Sequence, residues 1–386
     1  MQFEFATASQ IVFGEGALEQ LPGLARGLGT RALLVTGRDS ARAAKVLELL
    51  EKTDRIVSVA TCSVTGEPTV EWVERQVEAA RNDGCDLVIG FGGGSAIDAA
   101  KAVAGMLTNH GRLLDYLEVI GGGKPLVNPS VPFIAIPTTA GTGAEVTRNA
   151  VLLSTAHKVK VSLRSRLLLP RLALVDPKLT YGLPPELTAA TGMDALTQLI
   201  EAYVSCRANP MTDSLCAEGI RRAARALRTA FEDGQNASAR RDMALAAMFS
   251  GIALANAGLG AVHGFAGVIG GMFGAPHGAV CAALLPHVMS TNIRALRARA
   301  PGAETLRKYA EVAQLLTGRR DAAPEEGAAW IAELLTALRI PRLRAYGMSE
   351  SHLAQVVEQA ARASSMRGNP IALTPEEMAD AVRAAM

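Results

Sequence analysis

Four short apolar runs in the first half of the chain alternate with stretches of helical periodicity, and this alternation limits the possible folds most. Fully apolar strands that alternate with helices are typical of a parallel β-sheet covered by helices on both faces. A weaker alternation over Phe3–Val12 predicts an extra edge strand. The predicted strands are Arg31–Thr36, Asp54–Ala60, Asp86–Gly90 and Val131–Ile136, and the predicted helices include Ala41–Lys52 and Thr69–Asn82.

The second half of the chain has a different character. From about Pro184 the strand-like runs disappear, and helical patterns rich in alanine, leucine and arginine continue to Met386. The segment Leu183–Glu186 resembles the start of a helix, since proline fits the first turn and a carboxylate there interacts favourably with the helix dipole. We therefore predict an α/β domain with a Rossmann-like parallel sheet over residues 1–183 and an all-α domain over residues 184–386.

The composition excludes several classes of protein. The 386 residues are 49% hydrophobic and 20% charged, which suits a folded chain with a large core. A formal net charge of +2 and an aromatic content of 4% argue against nucleic-acid binding. The five cysteines are scattered without a CxxC pair, and no export signal is visible, so we expect a cytoplasmic protein.

One segment raises the alternative of a membrane protein. Met243–Ile293 contains no Asp, Glu, Lys or Arg and is long enough for two membrane spans. However, it contains asparagines, histidines, prolines and many glycines, and its parts lack the basic flanks and aromatic belts of such spans. We therefore expect a buried helical core and no membrane as a partner.

A glycine run follows the strand Asp86–Gly90 directly, in the sequence FGGGSAIDAAK of Phe91–Lys101. A strand, a glycine run and a helix form an arrangement in which backbone N–H groups and the helix dipole bind a pyrophosphate. The spacing matches neither a P-loop nor a GxGxxG fingerprint, and a tight structural turn is the alternative. The glycines let a ligand approach the backbone, Ser95 is able to cap the helix or donate to a phosphate, and Asp98 and Lys101 fall in the first turns of the helix.

A second polar loop, Ala135–Thr147, also follows an apolar strand. Hydroxyl groups and glycines at the carboxyl end of a strand fit the ligand-binding edge of an open α/β sheet. The alternative is a loop whose turns are merely stabilised by hydroxyl groups. The loop contains two glycines and four threonines, which are Thr138, Thr139, Thr142 and Thr147.

The helical half contains a candidate metal site. Asp194 and Gln198 lie four residues apart and therefore share one face of a helix. His263 and His277 lie in the uncharged segment. A buried histidine usually makes one backbone hydrogen bond and has no further role, but an aspartate and two histidines in an uncharged core also suit a divalent metal ion.

Several motifs in this order resemble the iron-containing (group III) alcohol dehydrogenase family of the dehydroquinate synthase-like superfamily. The resemblance implies an N-terminal dinucleotide-binding domain, a helical metal and substrate domain, and an active site in the cleft between them. It also implies NAD(P)-dependent interconversion of a small alcohol with an aldehyde or ketone by hydride transfer. The motifs are the two loops, the segment with both histidines, Gln10–Pro22, Leu172–Ser205 and Gly368–Thr374.

The resemblance assigns roles residue by residue. Lys160 and Leu179 match positions beside the nicotinamide, and Asp194, His263 and His277 match three metal ligands. The family's second ligand is usually a histidine, and this chain has Gln198 there. A further histidine is usual four residues after His263, where this chain has Gly267. Gly93, Gly94, Ser95 and Asp98 match the family's pyrophosphate loop, and Thr138, Thr139 and Thr142 match its second cofactor loop.

The two departures leave alternatives open. In the first, Asp194, Gln198, His263 and His277 hold Fe²⁺ or Zn²⁺, with a weaker amide ligand at Gln198. In the second, the chain is a metal-independent reductase in which His263 and His277 polarise the carbonyl group and His277 acts as the acid. A non-catalytic nucleotide-binding protein is a third alternative.

The choice of cofactor rests on the loop after the strand Arg31–Thr36. Gly37 stands where many NAD-preferring family members carry an aspartate, and Arg38 is adjacent, which permits a 2′-phosphate. Asp39 is still able to reach a ribose hydroxyl group, so the sequence favours NADP only slightly over NAD. The resemblance also implies a homodimer or a larger homo-oligomer.

Overall fold

The computed structural model of this protein describes residues 2–157 and 159–386. The chain divides into two compact units. The α/β unit comprises Ala6–Thr139 and Gly143–Tyr181, and the helical unit comprises Gly182–Met386, Ala140–Thr142 and a short N-terminal stretch.

The α/β unit is built on a six-stranded sheet in which every pairing is parallel, as the sequence predicts. The strand order is β1-β8-β5-β4-β2-β3, and β6 and β7 form a separate antiparallel pair. The strands are β1 Ile11–Phe13, β2 Arg31–Thr36, β3 Ser58–Ser63, β4 Leu87–Gly92, β5 Phe133–Pro137, β6 Asn149–Ser154, β7 Val159–Arg164 and β8 Leu172–Val175.

Two predicted strands are displaced in the structure. The prediction of Asp54–Ala60 begins too early, because Ile56 N–H donates to the Thr53 carbonyl in a turn and pairing with β2 starts at Ser58. The predicted edge strand Phe3–Val12 is reduced to β1, since its partner β8 has only four residues with which to pair.

Helices cover both faces of this sheet. One face packs against α3, α4 and the β6–β7 pair, and the other packs against α1 and α2. Thr69 starts α3 by accepting a hydrogen bond from Trp72 N–H at 3.1 Å. The helices of this unit are α1 Leu21–Ala25, α2 Ala44–Glu51, α3 Val70–Asn82, α4 Gly94–Thr108 and α5 Leu113–Tyr116.

The described part of the helical unit contains no strand. Its helices share one core of alanine, leucine, valine and methionine side chains. The helices are α6 Pro185–Val204, α7 Pro210–Glu232, α8 Ala237–Ala257, α9 Ala261–Phe273, α10 His277–Arg299, α11 Glu304–Thr317, α12 Pro324–Ala337, α13 Leu353–Ala361 and α14 Pro375–Ala385.

The uncharged segment forms most of α8, all of α9 and much of α10. Among the described residues, one unbroken helix, α10, is long and apolar enough to cross a membrane. Within its most apolar 18-residue stretch, 83% of the residues are buried inside the structure. The chain bends by 103° between α8 and α9. The apolar residues of this segment therefore serve as the core of the helical unit, as the buried-core alternative predicts.

Candidate metal centre and cofactor loops

Three helices of the helical unit bring four metal-ligating side chains together. Asp194 lies on α6, His263 on α9, and His277 and Cys281 on α10. One donor atom of each lies within 4.8 Å of the other three. Asp194 Oδ1 is 3.2 Å from His263 Nε2 and 3.8 Å from His277 Nε2. Cys281 Sγ is 3.7 Å from each of these two nitrogens.

A close approach between α6 and α10 produces this cluster. A Cβ atom at Gly278 would lie 2.1 Å from the Ala190 carbonyl oxygen and 3.3 Å from Asp194 Cβ. Only a glycine therefore lets α10 pass so near to α6. His277 and Cys281 are four residues apart, so both side chains lie on one face of α10.

A buried carboxylate orients His263. Glu201 Oε2 lies 2.6 Å from His263 Nδ1, and Glu201 Oε1 accepts a hydrogen bond from Val262 N–H at 2.7 Å. Metal-binding histidines commonly use their second nitrogen in this way, which fixes the ring and the tautomer. Nε2 is therefore the His263 atom that faces the cluster. Glu201 lies seven residues after Asp194 on α6, a spacing that would have placed it on the same helix face.

The structure places Gln198 beside the cluster. Its Oε1 atom accepts a hydrogen bond of 3.0 Å from the Ser250 hydroxyl group on α8. At the other departure from the family pattern, Gly267 has open space around it, since a Cβ atom there would meet nothing within 4 Å. The described residues therefore supply no imidazole at either position.

Electrostatic interactions favour the anionic forms of Asp194 and Cys281. Burial alone would raise the pKa of Asp194, but the hydrogen bond from His263 and the charges of both imidazoles lower it. Burial likewise opposes ionisation of Cys281, and the same imidazoles lower the pKa of its thiol. Burial would lower the pKa of His263, but the interactions with Cys281 and Asp194 raise it above its usual value. The pKa of His277 is also raised, and the main cause is the charge of Cys281.

These side chains fit a divalent transition-metal ion. Imidazole, carboxylate and thiolate groups are all ligands of Zn²⁺, and imidazole also suits Fe²⁺. Asp194 and His263 are buried, whereas the His277 side chain is 34% exposed, so the cluster has an accessible side. Asp194, His263 and His277 belong to the predicted ligand set; Cys281 does not, although its spacing of four residues from His277 was a usable signal.

In the α/β unit, the two predicted cofactor loops lie side by side. Thr138 N–H donates to the Gly92 carbonyl at 2.9 Å, and a Cβ atom on Gly93 would lie 3.4 Å from Thr139 Cγ2. Gly92 has a φ of 155°, and a Cβ atom on it would lie 3.3 Å from Gly37 N. Loops that follow β2, β4 and β5 therefore meet at the carboxyl edge of the sheet, where α/β proteins bind nucleotides.

The N-terminus of α4 faces this edge. Gly94 and Ser95 form its first turn, so their backbone N–H groups lack intrahelical partners and suit an anion. Asp98 lies further along the same helix, where its Oδ2 atom accepts from Val151 N–H at 3.1 Å. Its buried Oδ1 atom makes no hydrogen bond with a described residue, but it forms an ion pair with Lys101 Nζ at 3.6 Å. Burial raises the pKa of Asp98 to about 6.

Lys101 is a residue whose structural role the sequence did not reveal. Its side chain is fully buried, and Nζ donates to the Ala144 and Asn149 carbonyls at 2.8 Å each and to Thr147 Oγ1 at 2.9 Å. The ammonium group of α4 thereby holds the end of the second cofactor loop. This contact depends on tertiary packing, and sequence spacing does not reveal it.

The remaining predicted cofactor residues lie on several different elements. Arg38 is exposed, and Asp39 accepts a hydrogen bond from Ala41 N–H at 3.2 Å. Lys160 on β7 pairs with Glu67 at 2.8 Å. Leu179 accepts a hydrogen bond from Arg42 through its carbonyl, and its side chain packs against the core on the α1 and α2 face of the sheet. Thr142 groups with the helical unit.

Comparison with known proteins covers both units. The family described as "Iron-containing alcohol dehydrogenase" matches residues 8–177, and "Fe-containing alcohol dehydrogenase family, C-terminal" matches residues 188–386. Alcohol dehydrogenase 4 of Saccharomyces cerevisiae is 35% identical over 97% of this chain and 96% of its own length. The 1,3-propanediol dehydrogenase of Citrobacter freundii is 36% identical over 99% of this chain and 98% of its own length. A crystal structure of 1,3-propanediol oxidoreductase is 34% identical, has a TM-score of 0.91 and covers both chains completely.

Fold and similarity together define an oxidoreductase that interconverts alcohols with aldehydes or ketones. The chain belongs to the iron-containing alcohol dehydrogenase family. This membership confirms the resemblance drawn from the motifs, and the solved structure confirms the fold class. Membership of this family does not favour the two alternatives, a metal-independent reductase and a non-catalytic nucleotide-binding protein.

Proposed function

We propose that this chain transfers hydride between a small alcohol or aldehyde and the nicotinamide of NAD(P), with a divalent metal ion held by Asp194, His263 and His277. The observation that carries the proposal is the convergence of these side chains from three helices, with the imidazole Nε2 atoms 3.2 and 3.8 Å from Asp194 Oδ1. The name of the propanediol relative supports a small alcohol as substrate.

The residues of the helical unit bind the metal ion and orient its ligands. Asp194, His263 and His277 would hold a Fe²⁺ or Zn²⁺ ion, which would supply Lewis-acid polarisation of the substrate oxygen. Glu201 holds the His263 ring through Nδ1, so that Nε2 stays directed at Asp194. The partly exposed side of His277 is the side from which a small substrate reaches the site.

The residues of the α/β unit bind the dinucleotide. Gly93, Gly94 and Ser95 offer backbone N–H groups and the helix dipole of α4 to the pyrophosphate. Thr138 and Thr139 offer hydroxyl groups from the adjacent loop. Asp98 is included as an acceptor for the dinucleotide on the basis of the family resemblance. The proposal also includes cofactor contacts from Gly37, Asp39, Thr142, Lys160 and Leu179, on the basis of the family resemblance.

The test of this function measures nicotinamide absorbance with a panel of small alcohols and aldehydes. Each substrate is supplied with NAD or NADP, before and after chelation, and with Fe²⁺ or Zn²⁺ added back. We expect turnover that chelation abolishes and one metal ion restores. Turnover indifferent to chelation would contradict the metal ion, and no turnover with any substrate would contradict the catalytic function.

A second prediction concerns the exposed Arg38 side chain. The change Arg38→Ala removes a cation beside the proposed 2′-phosphate position, and one charged hydrogen bond is worth about 1.5 kcal/mol. We therefore expect the Kd of NADP to rise about tenfold while that of NAD stays unchanged. Fluorescence titration measures both, with the exposed and distant Arg26→Ala as control. An equal effect of Arg38→Ala on both cofactors would refute the role.

Location and assembly complete the proposal. The five cysteines are all free, which supports a reducing compartment such as the cytoplasm. The family resemblance supports a homodimer or a larger homo-oligomer.

A further inference from the structure

We propose that the Cys281 thiolate is the fourth protein ligand of the metal centre and takes the place of the imidazole missing at Gln198. The inference rests on the proposed function only in that the centre binds a divalent ion. It changes the donor set from one of nitrogen and oxygen atoms to one with a sulfur atom. This chain would thereby hold a metal ion whose preferred ligands include thiolate, as those of Zn²⁺ do.

The separations between donor atoms carry the inference. Zn²⁺ binds sulfur at about 2.3 Å and nitrogen or oxygen at about 2.0 to 2.2 Å, so neighbouring donors in a tetrahedral site lie roughly 3.3 to 3.7 Å apart. The Cys281 Sγ atom lies 3.7 Å from His263 Nε2 and 3.7 Å from His277 Nε2. The Asp194 Oδ1 atom lies 3.2 and 3.8 Å from the same nitrogens. These four separations, from 3.2 to 3.8 Å, lie close to the separations expected when the donors bind one ion between them.

The surroundings of Cys281 favour this role over that of a packing residue. Cys281 is fully buried, and its sulfur faces the Nε2 atoms of two histidines rather than only apolar side chains. His263 already uses Nδ1 on Glu201, so Nε2 is the nitrogen left for a metal ion. When the ion binds, the thiol proton leaves to solvent and the sulfur binds as a thiolate.

Gln198 has a different role in this arrangement. Its carbonyl oxygen accepts the Ser250 hydroxyl group at 3.0 Å, one helical turn from Asp194 on α6. The Gln198 side chain also hydrogen-bonds Asp194, so it supports this carboxylate and leaves the fourth position to the sulfur. We therefore infer that Gln198 is a positioning residue and that Cys281 is the ligand.

Cobalt provides a direct test. The metal-free protein is titrated with Co²⁺, because a cobalt–thiolate bond absorbs in the near-ultraviolet and cobalt bound only to nitrogen and oxygen does not. We expect this band to appear at one Co²⁺ per chain, to be absent in Cys281→Ser, and to persist in Cys216→Ser, which alters a buried cysteine on α7. It should also persist in Gln198→Leu. Zn²⁺ affinity should fall by more than about 100-fold in Cys281→Ser. Loss of a residue that only supports a ligand typically lowers metal affinity by about 10- to 100-fold.

A second measurement needs no variant and covers the case in which Cys281→Ser does not fold. X-ray absorption of the zinc-loaded wild-type protein should show one sulfur neighbour at about 2.3 Å. A shell of nitrogen and oxygen atoms alone, or a cobalt–thiolate band that survives in folded Cys281→Ser, would overturn the inference. Loss of the band in Gln198→Leu would overturn the role assigned to Gln198.

Turnover is measured separately on the same samples, so the two proposals fail in different ways. Metal-dependent alcohol oxidation without a metal–sulfur signal would contradict only the role of Cys281. A metal–sulfur signal without turnover of any alcohol or aldehyde would contradict the proposed function and support the ligand.

Discussion

Asp194→Asn should abolish metal binding and reduce kcat/KM by about 10³-fold or more, which corresponds to roughly 4 kcal/mol of lost transition-state stabilisation. The substitution keeps the shape of the side chain but removes the carboxylate that lies 3.2 Å from His263 and 3.8 Å from His277. A neutral amide also loses the attraction to both imidazoles that lowers the pKa of Asp194. Metal content per chain and turnover at saturating cofactor measure the two effects.

The control for this prediction is Asp213→Asn, which neutralises another aspartate of the helical unit. Asp213 pairs with Lys308 at 2.8 Å and takes no part in the cluster, so metal content should stay at the wild-type level. Circular dichroism establishes that both variants are folded. A folded Asp194→Asn protein with unchanged metal content would show that the carboxylate is not a ligand.

Gly278→Ala should disrupt the centre without changing any donor group. The added Cβ would lie 2.1 Å from the Ala190 carbonyl oxygen, so α10 has to move away from α6. This movement separates His277 and Cys281 from Asp194, and a displacement of about 1 Å at a catalytic site can cost 10²-fold in rate. Overpacking also destabilises the fold by about 1 to 3 kcal/mol, which outweighs the helix propensity gained from alanine. Thermal unfolding, metal titration and turnover measure these effects.

Gly267→Ala is the matched control for the change at Gly278. Gly267 is also a helical glycine near His263, but a Cβ there would meet nothing within 4 Å. We expect unchanged metal affinity and a stability gain of up to about 1 kcal/mol from helix propensity. Wild-type Tm and metal affinity in Gly278→Ala would disprove the claim that close helix packing sets the donor geometry.

The parallel sheet could be predicted because its signals are local. Arg31–Thr36 is apolar and bounded by a glycine loop, and the structure has β2 over the same residues. The boundaries of β1 and β3 could not be predicted in this way, because they depend on the length of β8 and on the register with β2. The long apolar stretch of α10 was ambiguous by composition, and packing inside the helical unit resolved it.

The sequence by itself determined the family, the order of the two units and the residue types of the site. Motifs such as the glycine run and the segments with the aspartate and the histidines are each formed by consecutive residues, so they can be read directly from the sequence. The tertiary structure decided three other features of the site. These are the close approach of α6 to α10 at Gly278, the hydrogen bond between Glu201 and His263, and the presence of Cys281 among the donors. Each joins residues on different helices, and only packed side-chain contacts determine which of them meet. Helical spacing predicts which residues share a face, whereas the neighbour of that face depends on how the helices pack.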